Sequence, residues 1–119
     1  MTALDCLNSI LNSNHSYQLY VNTFIDDFRR ADDMTRRRLV EDPIVTVGRM
    51  EGLISAVVSA LCREYGIESP RWVEYIYSPT PFFAFPAGSF ALRVRLMLES
   101  PAPFRIRNVF VPENYMNRA

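Results

Sequence analysis

The stretch Thr46-Val47-Gly48-Arg49-Met50-Glu51-Gly52-Leu53-Ile54-Ser55-Ala56-Val57-Val58-Ser59-Ala60-Leu61-Cys62-Arg63-Glu64-Tyr65-Gly66 decides how this chain is read. Met50, Leu53, Ile54, Val57, Val58, Leu61, Cys62 and Tyr65 recur at alternating steps of three and one, which is the spacing of one helix face. The pattern predicts a core-facing helix over 46–65. Gly66 stands where a left-handed C-cap belongs. A second stripe, Tyr17, Tyr20, Val21, Phe24, Ile25 and Phe28, predicts a helix over about 14–30. Asp26, Asp27, Arg29 and Arg30 fall on its solvated side. The expected fold is a mainly α, compact helical bundle, one domain over 1–119, with these two helices crossing at its centre.

Working outward, residues 3–11 form a short amphipathic helix with Leu4, Leu7, Ile10 and Leu11 on one face. Ala31-Asp32-Asp33 reads as a break and a new N-cap, opening a helix that ends at Glu41 before Asp42-Pro43. Ser69-Pro70 reads as N-cap and first residue of a short helix through Ile76. Residues 78–88 interleave prolines with Phe82, Phe83 and Phe85, the composition of a loop that packs. Phe90 to Leu98 stays open between two readings. Phe90, Leu92, Val94, Leu96 and Leu98 alternate at strand period, which would allow a short C-terminal β-hairpin with 104–111. The same residues are good helix formers, with Ser89 to cap them and Ser100-Pro101 to stop them.

The chain has 119 residues, enough for a real core, and 49% are hydrophobic, so it collapses rather than staying disordered. No apolar run is long enough to span a bilayer, and Met1–Asp5 has no signal-peptide character, so the expected compartment is the cytoplasm. Formal net charge is zero, which removes the general electrostatic argument for nucleic acid or anionic lipid. All thirteen basic residues are arginine. Codon bias explains that most simply; a preference for arginine forks at a contact surface is the functional alternative. Cys6 and Cys62 lie within apolar helical patterns and read as buried free thiols.

Catalytic patterns are sparse. His15 is the single histidine and sits beside a helix start, so it offers no redundant Ser–His or Cys–His system. There is no Cys/His cluster at zinc spacing and no glycine-rich phosphate loop, so neither metal nor cofactor is expected. Asp26-Asp27 and Asp32-Asp33 read as caps and ion-pair partners of Arg29, Arg30 and Arg36 rather than acid–base pairs. Arg36-Arg37-Arg38 sits on a short helix, where three consecutive side chains point in different directions. A second basic set, Arg93, Arg95, Arg105 and Arg107, has aromatic neighbours. Internal ion pairs with Glu74, Glu99 or Glu113 are the structural reading of that set, and an acidic partner protein is the functional one.

One block carries a resemblance: Pro70-Arg71-Trp72-Val73-Glu74, Phe82-Phe83, then Glu99-Ser100-Pro101-Ala102-Pro103-Phe104-Arg105-Ile106-Arg107-Asn108-Val109-Phe110-Val111 and Arg118-Ala119. With Val57–Gly66 upstream, it resembles a family of small uncharacterised bacterial proteins often encoded beside nucleotidyltransferase-like toxins. The resemblance covers about half of the chain. It favours helix over 90–98 and implies an antitoxin-like or accessory partner of another bacterial protein, with no enzymatic activity of its own. The expected partner-binding residues are Arg93, Arg95, Arg105, Arg107, Trp72, Phe82, Phe83 and Phe104: arginine forks for carboxylates, aromatics as apolar anchors. Such arginines could meet the acidic metal-binding residues of the toxin. Homodimerisation through the aromatic loop is compatible with this, and the alternative is a small DNA-associated regulator contacting phosphates through arginines.

Overall fold

The computed structural model describes residues 1–84 and 88–118. The expected packing of Phe85 and the last residue of the resembling block, Ala119, lie outside the described residues. The fold is mainly α, as the stripes predict. Its elements in chain order are α1 (Ala3–Leu11), α2 (Tyr17–Arg30), α3 (Asp33–Glu41), α4 (Arg49–Glu64), a 3-10 helix (Arg71–Tyr75), β1 (Phe82–Phe83), α5 (Phe90–Glu99), α6 (Ala102–Arg105) and β2 (Val109–Phe110).

Helix α4 is the axis of the molecule. Every residue from Gly52 to Val58 is buried, the condition of a helix packed on all sides rather than along one stripe. It contacts α1, α2, the 3-10 helix, α6 and β2. Small residues make this approach possible. A Cβ on Gly52 would stand 2.7 Å from the backbone nitrogen of Ser78 and 2.9 Å from the carbonyl carbon of Tyr77, so the 77–78 backbone lies directly against the helix. Gly48 N–H donates to Tyr77 O at 3.1 Å. That bond draws residues 46–48 out of the helix, which is why α4 starts at Arg49 and not Thr46. At the other end Gly66 takes φ +64°, with Gly66 N–H donating to Arg63 O and Ile67 N–H to Cys62 O. This is the Schellman closure expected of a glycine after a helix.

The flanking helices start as their sequences imply. Thr2 and Asp5 form a reciprocal capping box on α1, Asp32 accepts Thr35 N–H at 2.8 Å on α3, and Ser89 accepts Leu92 N–H at 3.1 Å on α5. Helix α1 turns inward the face its spacing suggested, Leu7 buried with Leu4 and Ile10 packed on the core, widened by buried Ala3 and Cys6, while Leu11 is exposed. The cap before the 3-10 helix falls on Pro70, not Ser69. One core cluster runs from Ala3 through Val111 and draws on α1 to α4, α6 and β2.

The C-terminal half settles the open choice over 90–98. The segment is helical, and the hairpin does not form. Instead β2 pairs in parallel with β1, Phe82 against Val109 and Phe83 against Phe110, because Ser100 and Pro101 end α5 and α6 then redirects the chain. Asn108 adopts φ +63° at that turn, and its Nδ2 donates to Ser78 O at 3.1 Å. Asparagine tolerates this left-handed conformation better than most residues.

Candidate interaction surface

The eight expected contact residues divide sharply by environment. Arg107 is 6% exposed and Phe104 is fully buried, so the expectation that they line a surface is corrected. The Arg107 guanidinium donates through Nη1 to Pro103 O at 2.7 Å, through Nη2 to Val73 O at 2.9 Å, and through Nε to Ser55 Oγ and Val73 O, both at 3.2 Å. Ser55 Oγ in turn donates to Val73 O at 3.0 Å. A buried cation is thus held by two carbonyls and a serine hydroxyl drawn from three elements. Burial pulls its pKa below the ordinary arginine value, and the field of Glu74 pushes it back up. Phe104 packs edge-on against Tyr115, with ring centroids 5.7 Å apart.

Trp72 and Phe82 are half-buried and also serve the fold. Trp72 Nε1 donates to Val40 O at 2.8 Å. Phe82 stacks edge-on with Tyr17 at 5.9 Å. The remaining residues sit at or near the surface. Phe83 lies on Phe110 at 5.1 Å, and the Arg93 guanidinium lies over the Phe83 ring at 5.5 Å. Arg95 pairs with Glu99 at 3.3 Å within α5. Arg105 is exposed on α6, beside Ile106, which is 72% exposed.

What the sequence reading missed is the direction in which α5 faces. Only Leu96 of its ten residues is buried, against Phe83 and Phe110. Phe90 is 83% exposed and Leu98 75%, and Leu92 and Met97 are open as well. At about 100° per residue, Met97, Phe90, Val94, Leu98 and Ala91 share an arc of about 120° opposite Leu96. Arg93 borders that arc on one side and Arg95 on the other. The helix is amphipathic with its apolar face turned outward. The signal was present in the sequence as an excess, since apolar residues at 90, 91, 92, 94, 96, 97 and 98 are too many for one buried face.

The acidic pairs do the work of caps and clamps. Arg118 reaches both oxygens of Asp26, at 3.0 and 2.9 Å. Asp27 pairs with Arg30 and with the amino group of Met1. Asp33 pairs with Arg36, whose guanidinium also donates to Phe28 O and Arg29 O and lies 3.7 Å from the Tyr65 ring centroid. The basic run therefore splits, with Arg36 folded onto the end of α2 while Arg37 and Arg38 face solvent. Among the described residues no group of three His, Cys, Asp or Glu side chains is arranged to hold a metal ion. No described helix is long and apolar enough to cross a membrane. Cys6 and Cys62 are buried free thiols, and burial pushes Cys6 up to about 12.

A cleft of about 450 Å³ lies between the start of α2 and the C-terminal tail. Its polar groups largely satisfy one another: Tyr115 Oη donates to Gln18 Oε1, and Gln18 Nε2 donates to Asn22 Oδ1 at 2.8 Å. Compared with protein-family models, curated proteins and solved structures, the chain finds no match. Its surface is therefore read from its own geometry.

Proposed function

We propose that this chain is a non-catalytic protein-interaction domain whose contact surface is centred on α5. The observation that carries the reading is the outward apolar arc, exposed Phe90, Met97 and Leu98 around half-buried Val94, on a helix that buries only Leu96. An exposed, contiguous apolar face is costly in water, and covering it gains roughly 25 cal/mol per Å² of apolar area. Arg93 and Arg95 beside it supply the residue type enriched at interface hot spots. Arg105 and Ile106 offer a second exposed pair at the end of α6.

The finer reading, an antitoxin-like or accessory partner of another bacterial protein such as a nucleotidyltransferase-like toxin, draws on the resemblance of the 70–118 block. The DNA-associated alternative has less support, because Arg36 and Arg107 spend their guanidinium groups on internal carbonyls. The test is isolation of the tagged chain from its own host at moderate salt, beside the double variant Phe90→Ser/Leu98→Ser. A stoichiometric protein that accompanies the wild type and is missing from the variant is expected. The toxin reading further requires that this protein arrest growth when expressed alone and that the chain relieve the arrest. A partner retained by the variant would place the contact surface elsewhere.

A further inference from the structure

We infer that Ile44-Val45-Thr46-Val47 is an open β-edge whose occupant is the same run of a second copy of this chain, paired antiparallel about Thr46. The surface is separate from α5, and the inference does not rest on the reading of that helix.

The run joins α3 to α4 with no turn or bend from Pro43 to Val47. Asp42 before it and Gly48 after it are extended as well. A succession of β-branched residues favours that conformation. Main-chain bonds tie the run into a series of extended segments on one side: Gly48 N–H donates to Tyr77 O at 3.1 Å, Ser78 N–H to Arg107 O at 2.9 Å, and Phe82 N–H to Asn108 O at 3.0 Å. The other side is open, since among the described residues nothing hydrogen-bonds the main chain of residues 44–47. Gly48 points its N–H inward, so alternation along an extended chain turns the N–H and C=O of Val47 and Val45 outward. Neither a charge nor a proline, the usual protections of an edge, falls within the run.

An extended backbone completes such an edge, and the ends of the run select which one. Glu41 and Asp42 precede it, exposed and in no ion pair among the described residues. Arg49 follows it, likewise exposed and outside any such pair, with its guanidinium 5.9 Å from the Phe82 ring centroid. Glu51, the other charge at that end, is engaged within the chain, where its carboxylate accepts the Thr46 hydroxyl at 3.0 Å and lies against Gly48. Arg37 and Arg38 lie a turn further back on α3. A run that starts acidic and ends basic is complementary to itself when reversed. Antiparallel pairing brings Asp42 of each copy towards Arg49 of the other, at both ends.

Register follows from the same residues. Centred on Thr46, each Val45 meets a Val47, and each such pair exchanges both of its main-chain hydrogen bonds. Centred on Val45, the pairing sets Pro43, which has no N–H, against Val47. Centred on Val47, it runs into α4. Apolar surface adds to the hydrogen bonds. Val45 is 81% exposed and Tyr75 67%, and Val47 and Tyr77 are open as well, while Ile44 and Ile76 between them are buried. The two-fold joins the valines of both copies at the middle of that patch, where β-branched and aromatic neighbours support one another across strands. It uses both edges, so the assembly closes at a dimer. The run is short, and the dimer is accordingly weak and concentration-dependent.

The experiment is sedimentation of the full chain over a concentration series at low salt, which is expected to show a monomer–dimer equilibrium. Val45→Pro deletes an N–H that the monomer leaves unpaired. It should weaken the dimer by about tenfold or more, with the melting temperature of the dilute protein unchanged. Val45→Thr keeps that N–H and the β-branch and should retain the dimer. Asp42→Arg and Arg49→Asp should each weaken dimerisation, and the two together should restore it, with the whole effect shrinking as salt rises. A chain that stays monomeric at every concentration, or a dimer indifferent to Val45→Pro, would overturn the inference. A dimer lost only in Phe90→Ser/Leu98→Ser would move the interface to α5. Failure of the charge exchange to restore what the single changes remove would overturn the antiparallel register. A monomeric chain that carries a different protein from its host, lost in Val45→Pro, would give the edge to that protein's strand instead of a second copy.

Discussion

Arg107 shows how far one side chain can move from its apparent role. Beside Arg105 in sequence it looks like half of a basic patch. In the fold it is the pin that joins Ser55 of α4, Val73 of the 3-10 helix and Pro103 of α6. Arginine suits this position because its planar fork serves several acceptors at once and stays charged when buried. Arg107→Ala is expected to cost about 3 kcal/mol, since it leaves Pro103 O without its guanidinium donor and Val73 O with the Ser55 hydroxyl alone, and denaturant unfolding measures it. Arg105→Glu should change stability by less than about 0.5 kcal/mol, as for other exposed positions. A similar small loss at Arg107 would mean that those carbonyls find water. Ser100 makes the same point on a smaller scale. Its Oγ accepts Val111 N–H at 2.8 Å and lies 2.9 Å from Val111 O, tying the end of α5 to the chain beyond β2. Ser100, Phe104, Arg107, Val109, Phe110 and Val111, the backbone of the resembling block, are all buried. That block is a folding motif in this chain, and Arg105 and Ile106 are among its exposed members.

At the scale of elements, α4 was readable because its partners surround it and its pattern records them. The outward face of α5 was not, because the periodicity argument assumes that apolar residues point inward. Alternation at 90, 92, 94, 96 and 98 mimics a pleated strand, while helix-forming residues, the Ser89 cap and the Ser100-Pro101 stop spoke for the helix. With Leu96 its one buried residue, against Phe83 and Phe110, α5 should be among the least protected helices. Leu96→Ala is expected to release it, with its amides exchanging at least tenfold faster while those of α4 keep their protection in hydrogen-exchange mass spectrometry. Loss of protection throughout the molecule would show that α5 belongs to the main cooperative unit.

At the scale of the whole molecule, the chain closes through the charged side of α2. Arg118 is held by Asp26 and Arg29 by Glu64, and Arg29 also donates to Met116 O at 2.7 Å. Tyr115 closes the inner side onto Gln18 and Phe104. The hydrogen bond from Arg118 holds the Asp26 carboxyl below its ordinary value of 3.8, and the Thr35 amide does the same for Asp32. A carboxyl with a depressed folded-state pKa adds stability above its unfolded value and loses it as pH falls through the folded one. Thermal stability should therefore drop as pH falls below about 4. In Asp26→Asn that drop should be shallower and begin from a slightly lower plateau, which melting curves between pH 6 and pH 2 will show. An identical acid profile in the variant would mean that the Asp26–Arg118 pair exchanges freely with water.

The sequence by itself determined the helical class, the two central helices and most of the caps. Those depend on periodicity and on contacts within a few residues, which the chain carries locally. Only the tertiary structure decided that Arg107 and Phe104 lie inside, that β2 pairs in parallel with β1, and that α5 turns its apolar side to solvent. Each of these depends on which distant segment arrives beside the residue. For Arg107 the arrival of Ser55 and Val73 made a surface charge into a core support. For α5 the arrival of Phe83 and Phe110 buried Leu96 and left Phe90 and Leu98 exposed.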